Sequence, residues 1–146
     1  MGGHPWFYVV PYGEDIDACL EALREREFKA GRYNPAEPFP KFPVDLAHAP
    51  GAKHASIQAA IEDADADGTR SILDIDRIRR KPDYGAAMLL DEDDLMDLFS
   101  TAKPTREDLE DDEALFESIE RGQGVCFVVY EGEKPSEICF AGYSYD

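Results

Sequence analysis

The sequence has 146 residues with 32 acidic and 15 basic side chains, which gives a net charge of −17 at neutral pH. Such an excess of carboxylates opposes binding to nucleic-acid phosphates and to anionic membrane surfaces, because both ligands require cationic side chains. A hydrophobic share of 43% excludes a disordered chain, and the length suits one globular domain over residues 1–146.

The sequence also predicts the cellular location of the protein. It begins without a basic leader, and no apolar run approaches the ~20 residues of a membrane-spanning helix. Its three cysteines follow no repeated spacing and do not resemble the disulfide framework of a secreted protein. We therefore expect a cytoplasmic protein with reduced thiols, no nucleic-acid ligand and no membrane contact.

Residues 6–12 are aromatic and β-branched and predict a first strand. A helix is expected to begin near Asp15 and to end at Gly31, because the apolar residues between them recur at helical spacing. Cys19 lies on this apolar stripe. No histidine or acid has a spacing that would activate its thiol, so we interpret Cys19 as a small buried side chain and not as a nucleophile.

Residues 33–54 hold five prolines and favour extended structure. This segment either crosses the core as a strap or covers a binding site as a lid. The side chains that a strap would direct inward are Phe39, Phe42, Val44 and Leu46. His48 and His54 also occur here, but two ligands are too few for zinc, so solvated histidines are the simpler interpretation. A lid over these histidines would instead indicate a small enzyme of unidentified chemistry.

Residues 56–65 have a helical pattern and residues 71–78 a strand pattern, and the junction between them has the layout of a calcium loop. Acids occupy the first, third, fifth and twelfth loop positions, and a glycine occupies the sixth. The predicted metal ligands are Asp63, Asp65, Asp67, the carbonyl of Thr69, and Asp74. These residues alone resemble the loop of EF-hand and dockerin-type proteins.

Two residues depart from that pattern. Arg70 replaces an aliphatic residue at the eighth position, and Asp74 is shorter than the usual glutamate at the twelfth. No second loop occurs in the sequence. The alternative to calcium binding is a helix that ends at Gly68 and is followed directly by the strand.

A basic cluster follows this junction, at residues 77–81. It could hold a phosphate or an acidic peptide. In so acidic a chain we expect internal pairing instead. The bases are Arg77, Arg79, Arg80 and Lys81, and the acids nearby are Asp74, Asp76 and Asp83.

Residues 91–117 hold twelve acids and only two bases. A short strand is predicted at residues 88–90, a helix after the first acids, and a second helix after a capping box formed by Thr105 and Asp108. We expect these acids to bind a basic protein partner, as an inhibitor or immunity-type protein would do, unless they serve only solubility. The predicted contact residues are Asp91, Glu92, Asp93, Asp94, Glu110, Asp111 and Asp112.

Residues 125–130 and 137–143 predict a C-terminal β-hairpin with a two-residue turn at Gly132 and Glu133. A regular register would place Cys126 opposite Cys139. We expect both thiols to stay reduced and packed, although a redox pair is the alternative.

The sequence around this hairpin reads RGQG, an apolar strand, a turn and FAGYS. In this pattern the chain resembles small bacterial α+β proteins with no assigned activity, so the resemblance implies no catalytic residue or partner. The elements together predict an α+β domain with a mainly antiparallel sheet, helices packed on one face and a C-terminal hairpin. The expected function is a noncatalytic interaction module. A calcium-binding domain and a small enzyme are the alternatives, calcium is the one cofactor considered, and the oligomeric state is left open.

Overall fold

In the computed structural model, which describes residues 3–146, the chain forms a mixed sheet of five strands. The strands are β1 (Pro5–Pro11), β2 (Arg77–Arg79), β3 (Ala86–Leu89), β4 (Gly124–Glu131) and β5 (Lys134–Tyr143), in the spatial order β1-β5-β4-β3-β2. β5 is antiparallel to both of its neighbours, β1 and β4. β3 runs parallel to both β4 and β2. β1 and β2 are therefore the two edges of the sheet.

Helices and 3₁₀ turns connect these strands. The helices are α1 (Ile16–Ala30), α2 (Ile57–Ala64), α3 (Glu92–Phe99) and α4 (Glu113–Glu117). The 3₁₀ turns span Asp65–Asp67, Ile72–Asp74 and Asp108–Glu110. The longest helix, α1, has 15 residues, and no helix within residues 3–146 has the length and apolar character needed to cross a membrane.

The helices lie on both faces of the sheet. On one face, Leu20 of α1 and Ala60 of α2 share a buried core with Tyr8 of β1. On the other face, Leu95 of α3 and Leu115 of α4 belong to a second buried core. The expected α+β class is confirmed. The expectation that helices cover one face was wrong, because the central strand β4 is apolar on both faces and needs cover on each.

The predicted bounds of the first helix are confirmed. The Asp15 carboxylate accepts a hydrogen bond from the amide of Ala18 at 3.1 Å, which caps the start of α1. Gly31 ends the helix with a φ of 76°, and a Cβ there would lie 2.0 Å from the carbonyl oxygen of Gly51. Both the backbone angle and the close approach therefore require glycine at this position.

The C-terminal hairpin has the predicted turn but not a regular register. Glu131 pairs with Lys134 and Tyr130 with Pro135, as expected for a turn at Gly132. A β-bulge then shifts the pairing by one residue, so that Val129 lies opposite Glu137.

The bulge separates the two hairpin cysteines. Cys126 lies opposite Phe140 and packs in the α1 core, whereas Cys139 lies opposite Phe127 and packs in the α3 core. The predicted opposition of the two thiols was wrong, because one extra residue moves a side chain to the other face of a strand. The thiols therefore lie on opposite sides of the sheet.

The predicted strand at residues 71–78 is only partly present. Ile72 and Leu73 are both fully buried within a 3₁₀ turn, and the strand is limited to β2. The Ser71 hydroxyl accepts a hydrogen bond from the amide of Leu73 at 3.2 Å, which starts the turn. A strand would direct two successive side chains to opposite faces, whereas this turn buries both on one side.

Trp6 joins three strands across the sheet. Its side chain is fully buried, and its six-membered ring lies over the backbone of Gly142 in β5 and Gly124 in β4. A Cβ at Gly142 would lie 2.4 Å from Cζ2 of the indole. The glycine pair therefore provides the flat surface on which the indole packs.

The strap, residues 33–54, crosses the α1 side of the molecule. Phe42 contacts Tyr8 edge-to-face with ring centroids 5.1 Å apart, and Val44 also packs against the core. Phe39 and Leu46 do not, since 66% and 65% of their surfaces are exposed. The strap interpretation is therefore right for two of the four predicted inward side chains.

Candidate functional site

The acidic segment, residues 91–117, is not neutralised by its own bases. Lys103 forms an ion pair with Glu133 in the hairpin turn. Arg106 donates two hydrogen bonds to the carboxylate of Glu137, at 2.7 and 3.2 Å. Both bases are thus occupied by carboxylates outside the segment. The twelve acids of the segment therefore form no ion pair with either of its bases.

The first group of predicted contact residues has a structural role at the start of α3. Asp91 accepts a hydrogen bond from the amide of Asp94 at 2.9 Å, and Asp94 accepts one from the amide of Asp91 at 3.1 Å. This reciprocal pair is a capping box. Glu92 and Asp93 are exposed on the first turn, where they complement the helix dipole.

The second group follows a short structured connection. The amide of Thr105 donates to the Asp108 carboxylate at 2.8 Å, and the amide of Asp108 donates to the Thr105 hydroxyl at 3.4 Å. The reciprocal hydrogen bonds of the predicted capping box are therefore present, but they precede a 3₁₀ turn whose N-cap is Glu107, and not a long helix. Leu109 and Leu115 are buried on either side of Glu110, Asp111 and Asp112, and so fix this segment to the sheet.

Two hollows flank these three acids. The first has a volume of 620 Å³ and lies beside β1. The second has a volume of 580 Å³ and lies between the end of α3 and the 3₁₀ turn. Glu110 borders both hollows, Asp112 borders the first and Asp111 the second. No lysine or arginine nitrogen within residues 3–146 forms an ion pair with any of these three carboxylates.

The first hollow has apolar walls supplied by both sides of the sheet. They come from β1, the strap, α4 and the segment before α4, and include Phe7, Phe42, Pro43, Leu109 and Phe116. A smaller hollow of 200 Å³ continues along β1, beside Phe7, Tyr8 and Val9. The two share Phe7, Pro43 and Arg106 as lining residues, and we call them together the edge groove.

Sequence reasoning found the acids and missed the edge groove. Its walls lie far apart in the chain, so no local pattern marks them. One signal was available. Pro5 and Pro11 bracket an aromatic, β-branched strand, and proline in a strand indicates an edge.

The predicted calcium ligands are not gathered around a common point. Asp63 forms a hydrogen bond with His54 at 2.8 Å, and Asp65 is exposed. Asp74 is turned inward and bonded to the amide and hydroxyl of Thr69, at 2.8 and 2.9 Å. Within the described residues, no cluster of three or more histidine, cysteine or acidic side chains is placed to hold a metal ion. Calcium binding by the loop stays a prediction.

The loop instead holds the strap and the C-terminus. The Arg70 guanidinium donates to the carbonyl of Pro38 at 2.6 Å and lies 4.4 Å from the ring centroid of Phe39. It also forms an ion pair with Asp146 at 3.2 Å. Asn34 donates to the carbonyl of Gly68 at 2.9 Å. Arg70, which departs from the calcium-loop pattern, is thus a structural link between three segments.

The two strap histidines do not share a site. His54 Nδ1 lies 2.8 Å from the Tyr33 hydroxyl, and its other nitrogen contacts Asp63. His48 lies 2.6 Å from the Glu37 carboxylate, at the wall of a hollow of 800 Å³ under the strap. The lining of that hollow contains no serine, threonine or cysteine. The enzyme alternative therefore gains a cavity, but one without a hydroxyl or thiol nucleophile in its lining.

A buried ion pair closes the inner wall of this hollow. Glu27 is fully buried on α1, and its carboxylate accepts hydrogen bonds from Arg32 Nε and Nη2 at 2.8 and 2.5 Å. The remaining Arg32 nitrogen donates to the carbonyl of His48 at 2.5 Å. This pairing raises the pKa of Arg32 above its ordinary value. The pair joins α1 to the strap and satisfies its own polar atoms.

Part of the basic cluster forms ion pairs within the protein. Arg77 pairs with Asp76 at 2.6 Å and with Asp83 at 3.0 Å, as the sequence predicts. Asp74 is not a partner of the cluster. Arg79 and Arg80 line a shallow hollow opposite the acids at the start of α1.

No protein-family model, curated protein or solved structure matches this chain. The arrangement with the clearest chemistry is a row of three carboxylates that form no ion pair within residues 3–146. They lie between the apolar first hollow and a second hollow whose lining is largely acidic.

Proposed function

We propose that the protein is a noncatalytic interaction module that binds a basic protein segment at Glu110, Asp111 and Asp112. The observation that carries the proposal is the position of these carboxylates, which border two hollows and have no ion-pair partner within residues 3–146. An inhibitor or immunity-type role is a specific form of this proposal, in which the basic partner is a toxin or an enzyme.

The two parts of the site would contribute differently to binding. Carboxylates at the rim accelerate association with a cationic partner and disfavour acidic ones, and salt weakens this effect. An apolar side chain that fills the edge groove would supply most of the affinity, because desolvated pockets dominate binding energy. Acids that served only solubility would need no adjoining hollow.

A defined peptide provides the test. We expect acetyl-Lys-Val-Lys-Leu-Lys-Val-Lys-amide to bind the wild-type protein, with a Kd that rises steeply with salt. A triple variant, Glu110→Gln with Asp111→Asn and Asp112→Asn, removes three rim charges of ~0.5 kcal/mol each. The total of about 1.5 kcal/mol corresponds to a Kd roughly tenfold higher, measured by calorimetry.

The matched control neutralises three exposed acids elsewhere, by Glu14→Gln, Asp65→Asn and Glu131→Gln. It changes the net charge by the same amount and should change Kd by less than about twofold. Equal losses in the two triple variants would show that net charge alone attracts the peptide. That result, or absence of binding at low salt, would remove the proposal.

A further inference from the structure

We infer that the basic segment binds in the edge groove as an added β-strand, paired with the free edge of β1. The inference rests on the proposed function, because the same acids border this groove. It specifies the form of the ligand: an extended segment in which apolar and basic side chains alternate.

The hydrogen bonds of β1 show which of its peptide groups are free. The amide of Ser144 donates to the carbonyl of His4 at 3.0 Å, and the amide of Tyr12 donates to the carbonyl of Ser136 at 3.1 Å. Peptide groups alternate in direction along an antiparallel pair, so the even-numbered residues of β1 face β5. The amides of Phe7 and Val9 therefore point away from the sheet, and neither has an acceptor among residues 3–146.

The two prolines of β1 stand at outward-facing positions. Pro5 and Pro11 occupy the odd-numbered ends of the strand, where a missing N–H costs no bond to β5. Between them only Phe7 and Val9 can donate to an added strand. An added strand can therefore accept hydrogen bonds from β1 only between the two prolines, which end the available edge on each side.

Room for an added strand lies directly beside this part of β1. The smaller part of the edge groove is bordered by Phe7, Tyr8 and Val9, and the larger part begins at Pro5. The strap forms one wall through Pro43, and the segment before α4 forms the other. An open strand edge inside a groove is the arrangement in which extended peptides bind by β-augmentation.

The charges around the groove select the ligand. Two cations line it, but Arg26 donates to Glu27 at 2.9 Å and Arg106 is held by Glu137. Glu110 and Asp112 have no such partner within residues 3–146. Because Glu27 also binds Arg32, the unpaired negative charge belongs to the larger part of the groove, and there it favours lysine or arginine on the bound segment.

The side chains of the bound strand would alternate between two surroundings. Those that face Phe7 enter the apolar part of the groove, beside Leu109 and Phe116. The next ones along the strand point to the opposite face, beside the strap. Where the segment passes through the larger part of the groove, its basic side chains can reach the carboxylates at the rim. Main-chain hydrogen bonds to Phe7 and Val9 would set the alignment of the bound strand with β1. The groove that receives its side chains would determine which sequences bind.

Amide hydrogen exchange on the full chain tests the inference, with the same acetyl-Lys-Val-Lys-Leu-Lys-Val-Lys-amide as probe. In the free protein the amides of Phe7 and Val9 should exchange quickly, whereas those of Tyr8 and Val10 are protected by β5. At saturating peptide, exchange at Phe7 and Val9 should slow by at least about tenfold.

One variant tests backbone pairing from the side of the protein. Val9→Pro removes one outward donor and should weaken peptide binding about tenfold. A peptide N-methylated at alternate residues tests the same pairing without changing the protein. It should bind at least about tenfold more weakly than the parent peptide, whether or not the Val9→Pro variant folds.

Different results would overturn the added strand and the proposed function. Peptide binding that leaves Phe7 and Val9 unprotected would overturn the added strand but leave the proposed function in place. No binding at low salt would overturn both. Protection that appears without peptide and grows with protein concentration would show that a second copy of the chain occupies the edge, which also overturns the inference.

Discussion

Ser144 donates a hydrogen bond of 2.5 Å to the carboxylate of Asp74, which lies 70 residues earlier in the chain. The same carboxylate accepts two hydrogen bonds from Thr69. Burial is the largest influence on this group and raises the pKa of Asp74 above its ordinary value, although the three donors oppose the shift. The link ties the candidate calcium loop to the end of the chain.

The raised pKa of Asp74 predicts a pH-dependent contribution to stability. An acid whose folded-state pKa exceeds the unfolded value stabilises the fold most below about pH 4, and this contribution falls as pH rises through the folded pKa. Asp74→Asn should cost about 2 kcal/mol at neutral pH, because the amide cannot accept from all three donors. The cost should grow toward pH 3, as urea unfolding at several pH values would show.

Asp65→Asn is the control for this series, since Asp65 is exposed in the same loop. Its effect should stay below about 0.5 kcal/mol throughout. A cost of Asp74→Asn that shrank as pH fell would contradict the direction of the pKa shift.

The buried pair of Glu27 and Arg32 should be costly to break. Glu27→Ala leaves a buried guanidinium without its carboxylate, and we expect a loss of about 3–5 kcal/mol in the free energy of unfolding. Glu25→Ala on the exposed side of α1 should cost less than about 0.5 kcal/mol, because Glu25 makes only a surface pair with Lys29. Similar losses in the two variants, measured by urea unfolding, would show that the buried pair adds nothing to stability.

The thiols should differ in reactivity. Burial raises the pKa of Cys126 to about 12 and that of Cys139 well above its ordinary value, so neither forms a thiolate near neutral pH. Cys19 is only half-buried. A thiol reagent should therefore modify Cys19 first in the native protein and all three cysteines after unfolding. Formation of a disulfide between Cys126 and Cys139 in the folded protein would contradict their placement on opposite faces.

Calcium gives a simple test of the 63–74 loop. Because Asp74 is engaged by Thr69 and Ser144, we expect about 1 mM calcium to leave the melting temperature unchanged. Calorimetry should likewise show no saturable heat. A saturable signal that disappears in Asp65→Ala would establish the metal site and require the loop to rearrange.

The elements that could be predicted from the sequence are those set by neighbouring residues. Asp15 and Gly31 fixed the bounds of α1, because helix caps use groups within a few residues of the helix end. The turn at Gly132 followed from the same kind of local chemistry. The acids of the candidate site were visible because charge is a property of the sequence alone.

The features that could not be predicted depend on distant packing. One extra residue in β5 decides the faces of Cys126 and Cys139, and no local preference marks a bulge there. The edge groove combines Phe7, Phe42 and Phe116, which only the fold brings together. Ile72 and Leu73 suited a strand by residue type, but burial of both on one side favoured a 3₁₀ turn.

The position of β1 has a consequence for synthesis on the ribosome. β1 is made first among the strands, yet its single neighbour in the sheet is β5, which is translated last. The apolar segment around Trp6 and Tyr8 must therefore stay unpaired while the rest of the domain emerges. During that interval both of its edges are exposed, and Pro5 and Pro11 would limit its pairing with other nascent chains.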